Sequence, residues 1–316
     1  MPSSIFRCLN FGYGGSFKVR AVGSPLETFD WLEDHPMTRI FLQGGLGNQL
    51  FQFAAGMYLE DRGFKVSFVT SLIDSPPQGT TQRTVGIGDL ISGSTRAMRA
   101  PKYNEFWLPI CSRLKLAVNE TSGPEWESLR TRRTFPGGVK GYFQDPHLVA
   151  LVWGKLVDKF SQHARWSSLL AAPNKNLICV HIRRGDYKNL DGHGVLPASY
   201  YERCLRAVRE LDSHDTKIVV ISDEPDEALE MLRALEVSKG FELTVGETAS
   251  EWSDFSTLCT SRIVIAANSS FSWWGATIAA SKGAEVFGPS PWFRDEVSVL
   301  DSSPWTIIPS GFVGQE

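Results

Sequence analysis

Leu50, Phe53, Ala54, Met57 and Tyr58 recur at the spacing that lines one face of a helix. A short apolar run, Ile40-Phe41-Leu42, and a glycine-rich turn, Gly44-Gly45-Leu46-Gly47, precede them. Gly63 stands where a C-cap glycine belongs, and Lys65 to Val69 then alternates as a strand does. Strand, tight turn, helix and strand in that order predict a βαβ unit with a parallel sheet.

Residues 74 to 140 show no clean period, with Pro76-Pro77, Gly86, Gly88 and Gly93 interrupting a Trp/Arg-rich stretch. Short helices and loops are expected there, and Lys140 to Gln144 reads as a further strand end. The segment Ala171 to Asn176, with Pro173 and two asparagines, reads as a domain junction. Regular alternation follows it. Strands are expected at Leu177 to Ile182, Lys217 to Ile221, Phe241 to Val245 and Ile263 to Ala267, with Glu285 to Phe287 closing the series. Helices are expected around Tyr201, Cys204, Leu205 and Val208; from Pro225 through Leu229, Leu232 and Leu235; over Trp252 to Cys259; and from about Phe271. This is a second open α/β domain. The expected division is 37–172 and 173–316. Residues 1–36 carry no sustained period, and Met37 directly precedes the first strand. They are expected to be a mobile tail or an upstream translation artefact, the other reading being a short cap anchored by Phe29 and Trp31.

Composition narrows the function classes. With 42 % hydrophobic and 21 % charged residues the chain is globular. A net charge of −3 announces no nucleic-acid partner, so an anionic ligand must be held by a few placed cations. Five scattered cysteines without a C-x-x-C suit reduced, buried thiols and the cytosol. No apolar run approaches a membrane span, and no signal-peptide core is seen.

Ligands of open parallel sheets bind outside the carboxyl ends of the strands. Three polar clusters of the C-terminal half fall at such ends: His181-Ile182-Arg183-Arg184-Gly185-Asp186, Ser222-Asp223, and Asn268-Ser269-Ser270. Adjacent arginines offer bidentate donors to phosphate oxygens. The Asn-Ser-Ser run opens a helix, whose N-terminal N–H groups attract anions. Ser222 and Asp223 suit a ribose or a base edge. Together these suit a nucleotide-sugar donor, whose departing diphosphate needs positive charge from a metal or from protein cations. D-x-D is absent, as is a helical histidine pair, so no metal site is expected and the arginines take that task. The Gly44–Gly47 turn lacks the dinucleotide G-x-G-x-x-G spacing.

Plainer readings stand beside these. Arg183 and Arg184 can be surface ion pairs. His181 is either a structural histidine or a base. Trp273-Trp274 reads as core rather than as a sugar platform. Asp254 can be a helix-face carboxylate, and Cys179 and Cys259 buried fillers.

Three long motifs in order carry a resemblance: Gly44-Gly45-Leu46-Gly47-Asn48-Gln49-Leu50-Phe51-Gln52-Phe53, His181 to Tyr187, and Asn268-Ser269-Ser270-Phe271-Ser272-Trp273-Trp274-Gly275-Ala276. Gly141-Tyr142-Phe143-Gln144, Tyr200-Tyr201 and Pro291-Trp292-Phe293 accompany them. Over roughly Met37 to Ile308 the chain resembles the family 11 glycosyltransferases, the alpha-1,2-fucosyltransferases, of the soluble bacterial type. The resemblance implies a GT-B-like α/β fold, with two Rossmann-like domains whose parallel sheets face each other across a cleft. The N-terminal domain would take the acceptor and the C-terminal domain GDP-fucose. L-fucose would pass with inversion to the 2-hydroxyl of a terminal galactose, without cofactor or metal. Catalytic roles would fall to Arg183, Asp186 and His181. Donor contacts would come from Arg183, Arg184, Ser222, Asp223, Asn268, Ser269, Ser270 and Phe271, and Gly45, Asn48 and Gln49 would line the acceptor side. Glu224 departs from a second Asp found in many members. The expected location is cytoplasmic, free or peripheral at the inner membrane's cytosolic face. Other acceptors or linkages within the superfamily remain alternatives, as do a nucleotide-binding oxidoreductase and a non-catalytic sugar-binding protein.

Overall fold

The computed structural model describes residues 37–74, 82–92, 118–119, 129–131, 138–189, 192–211, 217–246, 250–295, 298–303 and 305–312. The leader 1–36 and much of the irregular 74–140 stretch lie outside them. Two parallel sheets organise the chain.

The first sheet holds β1 (Met37–Phe41), β2 (Lys65–Val69), β3 (Val118–Asn119) and β4 (Val139–Lys140), in the order β2-β1-β4-β3. All its pairings are parallel, with Ile40 level with both Phe68 and Val139. Helix α1 (Leu46–Asp61) follows the glycine turn and Gly63 ends it at φ +85°, as the pattern predicts. Its buried residues include Leu50, Phe51, Phe53, Ala54 and Leu59. Gly56 lets it lie close on the sheet, since a β-carbon there would stand 2.5 Å from the Phe68 ring. Helix α2 (Pro146–Ser161) starts with Asp145 accepting from the His147 and Leu148 N–H groups, an N-cap that Pro146 completes.

The second sheet contains β5 (Asn174–Ile182), β6 (Lys217–Ser222), β7 (Glu242–Val245), β8 (Ser261–Ile265), β9 (Glu285–Ser290) and β10 (Thr306–Pro309), ordered β10-β9-β8-β5-β6-β7. Its pairings are again all parallel. The helices are α3 (Ala198–Leu211), α4 (Pro225–Arg233), α5 (Glu251–Thr260) and α6 (Ser270–Ala280). Ile178 to Ile182 are buried as a central parallel strand must be, with helices on both faces. The chain runs outward from β5 to β7 and restarts at β8 on β5's other side. The β5–β8 boundary is therefore the switch point, where a crevice opens at the carboxyl ends. In the first sheet the β1–β4 boundary has the same character.

Several boundaries differ from expectation. Glu285–Phe287 does not close the series, because β10 adds an edge strand whose Ile307 is exposed. Half-exposed edge strands lack the continuous apolar run that marks a central one. β4 ends at Lys140, the first residue of the stretch read as a strand end, and does not extend to Gln144. β5 begins inside the expected junction, at Asn174. Leu235 lies beyond the end of α4 and leads into a 3₁₀ turn, Glu236–Ser238.

The two halves join through a hydrophobic cluster shared by α1, α2, α5 and α6. Phe51 of α1 packs on Trp273 of α6 at 4.8 Å and on Trp274 at 5.2 Å. Both tryptophans are buried, and the Trp273 indole N–H donates to Ser303 Oγ at 2.8 Å. They are core, as composition favours. Trp166 reaches Trp252 at 5.0 Å in the same cluster. The Lys282 ammonium donates to the Leu169 carbonyl at 2.5 Å and the Cys259 carbonyl at 2.8 Å, joining the halves again. Among the described residues no helix is long and apolar enough to cross a membrane.

Candidate active site

Each polar cluster lies at a strand's carboxyl end, and three contacts bring them together. Gly47, in the first turn of α1, lies against the first residues of α6: a β-carbon on it would stand 2.3 Å from the Ser270 carbonyl carbon. The Tyr187 hydroxyl donates to the Asn268 carbonyl at 3.1 Å, tying the arginine segment to the turn before α6. Arg83, from the first half, reaches Asp186 at 3.8 Å. Among the described residues neither α1 nor α6 has a side-chain cap or an acid in its own first turn, and the Glu251 carboxylate lies beside the start of α1.

The arginine pair has a defined surround. Arg183 Nη2 donates to Asp186 Oδ1 at 2.7 Å, and Nη1 lies 3.2 Å from Asp223 Oδ2. Burial alone would lower the Arg183 pKa, but Asp223 and Asp186 outweigh it and hold the guanidinium charged. The Arg184 N–H donates to Asp223 Oδ1 at 3.0 Å. Its guanidinium faces Glu224 at 3.4 Å and Glu227 at 3.5 Å, and both carboxylates also meet Lys188. The arginines are thus paired, but in a network at the strand ends rather than as isolated surface couples. Glu224, the departure from the family pattern, serves as a partner of Arg184 and Lys188. Gly185 is required by this network, since a β-carbon there would meet Asp223 Oδ2 at 2.5 Å. Ser222 Oγ accepts the Glu224 N–H at 3.1 Å and so shapes the start of α4.

At the β8–α6 turn, the Asn268 amide donates to the carbonyls of His193 and Gly194, both at 3.0 Å. Its Oδ1 is buried without a hydrogen-bond partner among the described residues. Ser269 occupies the N-cap position without a side-chain capping bond, and Ser270 opens the helix. Phe271 lies between Phe255, at 5.3 Å, and the His181 ring, at 5.6 Å.

His181 is 5 % exposed, and its Nδ1 has no hydrogen-bond partner among the described residues. Burial first, and the charge of Arg183 second, push its pKa down to about 3. The imidazole is therefore neutral at physiological pH. Asp186, the other residue beside Arg183 expected to have a catalytic role, is held between Arg183 and Arg83.

In the first half, Gly45 N-caps α1, and the site above it is shared by Arg83 and Glu251. Asn48 Oδ1 accepts from the Gln144 amide at 2.7 Å, across the β1–β4 switch point. Gln49 is placed differently from a residue lining a cleft. It is fully buried, and its amide binds the carbonyls of Gly44 (3.0 Å) and Thr84 (2.8 Å) and the Gly86 N–H (2.9 Å). Gln52 likewise joins the Gly141 carbonyl to the Gln43 N–H. One face of α1 thus pins three loops.

Two further side chains stand out beside these groups. Arg83 lies in a stretch without period, where no strand end singles it out. Asp254 projects from α5 and its Oδ1 comes within 3.5 Å of a β-carbon built on Gly246, just past β7. Burial first, then the charge of Glu251, push its pKa up to about 6. Asp254 stands on α5 as the helix-face carboxylate expected of it, but half-buried. No group of three or more His, Cys, Asp and Glu suited to a metal ion stands among the described residues.

The model of glycosyl transferase family 11 matches residues 141–298, which include the arginine segment and the β8–α6 turn. An Escherichia coli alpha-1,2-colitosyltransferase is 31 % identical over 293 residues, covering 84 % of this chain and 97 % of the relative. The chain belongs to glycosyl transferase family 11. A Caenorhabditis elegans galactoside 2-alpha-L-fucosyltransferase is 24 % identical over 257 residues, 76 % of this chain and 68 % of its own. A GDP complex of Arabidopsis thaliana FUT1 superposes with a TM-score of 0.44 at 12 % identity, covering 84 % of this chain and 73 % of the other. As a family 11 glycosyltransferase the protein carries the parallel α/β architecture that the alternation of its strands and helices predicts. The oxidoreductase and the non-catalytic lectin fall away with the family assignment.

Proposed function

We propose that this glycosyltransferase moves L-fucose from GDP-fucose to the 2-hydroxyl of a terminal galactose, with inversion and without a metal. The observation that carries this reading is the junction of the three motifs around Arg183, through Tyr187 to Asn268, Asp186 to Arg83, and Gly47 to Ser270. A diphosphate placed there meets Arg183 and the positive ends of α1 and α6. Such donors, fixed before the reaction, stabilise charge where it develops as the nucleoside diphosphate leaves. The relatives named for alpha-1,2 transfer support the linkage. Within this reading the C-terminal half, 173–316, holds the donor, and the N-terminal half, 37–172, presents Asn48 and Gly45 to the acceptor. A histidine with a pKa near 3 is a weak proton acceptor at neutral pH, so His181 is not the base in this reading. The enzyme would work in the cytoplasm or at the inner membrane's cytosolic face.

A second reading has its own support, since the relative at 31 % identity is named for colitose. Colitose differs from fucose at one ring carbon, which the diphosphate site does not sense. Incubating the enzyme with GDP-fucose or GDP-colitose and a galactose-terminated oligosaccharide, then mapping the product by NMR, tests both. A new α-linkage at galactose O2 from GDP-fucose supports the first reading. Turnover of GDP-colitose alone supports the second, and titratable binding of NAD without transfer overturns both.

A further inference from the structure

Arg83 is held with more care than its visible ion pair explains. Its guanidinium is about one-third exposed and 3.8 Å from Asp186. Such a partly exposed pair adds little to stability. Yet the backbone immediately after it is clamped by Gln49, a fully buried amide on α1 that binds the Thr84 carbonyl and the Gly86 N–H. Gly86 adds to the fit, because a β-carbon there would press on Leu46 at 2.8 Å. The same amide binds the Gly44 carbonyl, so one side chain sets the spacing between the glycine turn and the loop that carries Arg83.

The clamp delivers Arg83 to the positive end of α1, beside the Glu251 carboxylate. Its Nη1 lies 4.0 Å from a β-carbon built on Gly45, at the N-terminus of α1. Helix N-termini repel positive charge, and Arg183 stands on the far side of Asp186. A third cation beside a positive helix end makes sense as part of an anion site, with Asp186 and Glu251 as its protein neighbours.

We propose that Arg83 is the third arginine of the anion site, binding the outer phosphate of the nucleoside diphosphate from the side of the first sheet, with Gln49 as its positioning residue. The proposal rests on the nucleotide-sugar reading above. It extends the donor site beyond the C-terminal half: the inner phosphate falls to the β5 and α6 ends, and the sugar-bearing phosphate to Arg83. Binding the donor then ties the two sheets together.

Calorimetric titration of the full chain with GDP and with GMP tests it. The wild type should bind GDP more tightly than GMP. Arg83→Gln should weaken GDP at least about tenfold, the loss of one charge-assisted contact, and leave GMP unchanged. Gln49→Met should move the GDP/GMP ratio the same way, and adding it to Arg83→Gln should add little, since both act through one contact. A GDP/GMP ratio in Arg83→Gln equal to that of the wild type overturns the proposal. So does an equal loss for both nucleotides. A wild type that binds neither nucleotide instead refutes the donor reading beneath it. Circular dichroism of each variant confirms that the chain is folded when measured.

Discussion

Gly47 and Ser270 lie in backbone contact, 223 residues apart in sequence, and no side chain of any size fits between them. A β-carbon on Gly47 would overlap the Ser270 carbonyl and the Phe271 nitrogen at 2.3–2.5 Å. Backbone cannot swing aside as a side-chain end can, so α1 and α6 must part. Gly47→Ala is therefore expected to destabilise the chain by about 1–3 kcal/mol and to weaken GDP binding as well, because the helix ends separate. Urea denaturation and nucleotide titration of this variant check both effects. Wild-type affinity at reduced stability would show that the two N-termini do not act on one ligand.

The arginines should respond differently to truncation and to conservative exchange. Arg183→Ala removes a cation flanked by Asp186 and Asp223. Transfer should fall by about 10²–10³-fold, the range for losing a donor aimed at developing charge. Arg184→Lys keeps the charge but loses the fork that meets Glu224 and Glu227, and is expected to lower kcat/KM about tenfold. Initial-rate kinetics on the folded variants decide. Near-normal transfer by Arg183→Ala would remove the central support for the proposed chemistry.

Transfer is expected to persist in EDTA, because the cations proposed for the diphosphate are arginines rather than a metal ion. Assaying the enzyme before and after chelation, then with added manganese, checks this. Activity that vanishes with EDTA and returns with manganese would contradict it.

The parallel sheets were legible because each strand and helix has its own hydrophobic period. β2 (Lys65–Val69) coincides with the alternation that predicts it, and β6 (Lys217–Ser222) differs by one residue. The clusters at the ends of β5 and β8 were legible because strand order places carboxyl ends together. Arg83 was not, since its position depends on the Gln49 clamp, a contact made through the fold and not through local spacing. A trace of that clamp exists: Asn48, Gln49 and Gln52 are polar residues at helical spacing on the otherwise buried α1. Buried amides on an apolar helix mark loops that it holds. The edge strand β10 escaped because its exposed residues carry no core pattern.

Two titrating groups near the site should leave opposite marks on stability. His181 has its pKa lowered from 6.5 to about 3 by burial and by Arg183. The unfolded chain therefore binds the proton more tightly, and stability contributed by the neutral imidazole is full above about pH 6.5 and lost as pH falls towards 3. For a group so buried the loss is on the order of a few kcal/mol. Asp254 behaves inversely: its pKa is raised from 3.8 to about 6 by burial and by Glu251. Its favourable protonated form is present below about pH 4 and lost as pH rises through 6. Chemical denaturation from pH 4 to pH 8 should thus show His181→Gln losing less stability on acidification than the wild type. Asp254→Asn should gain relative to the wild type above pH 6, a smaller effect because the carboxyl is partly solvated. Parallel pH curves for His181→Gln and the wild type would show that the imidazole is not held neutral by the fold.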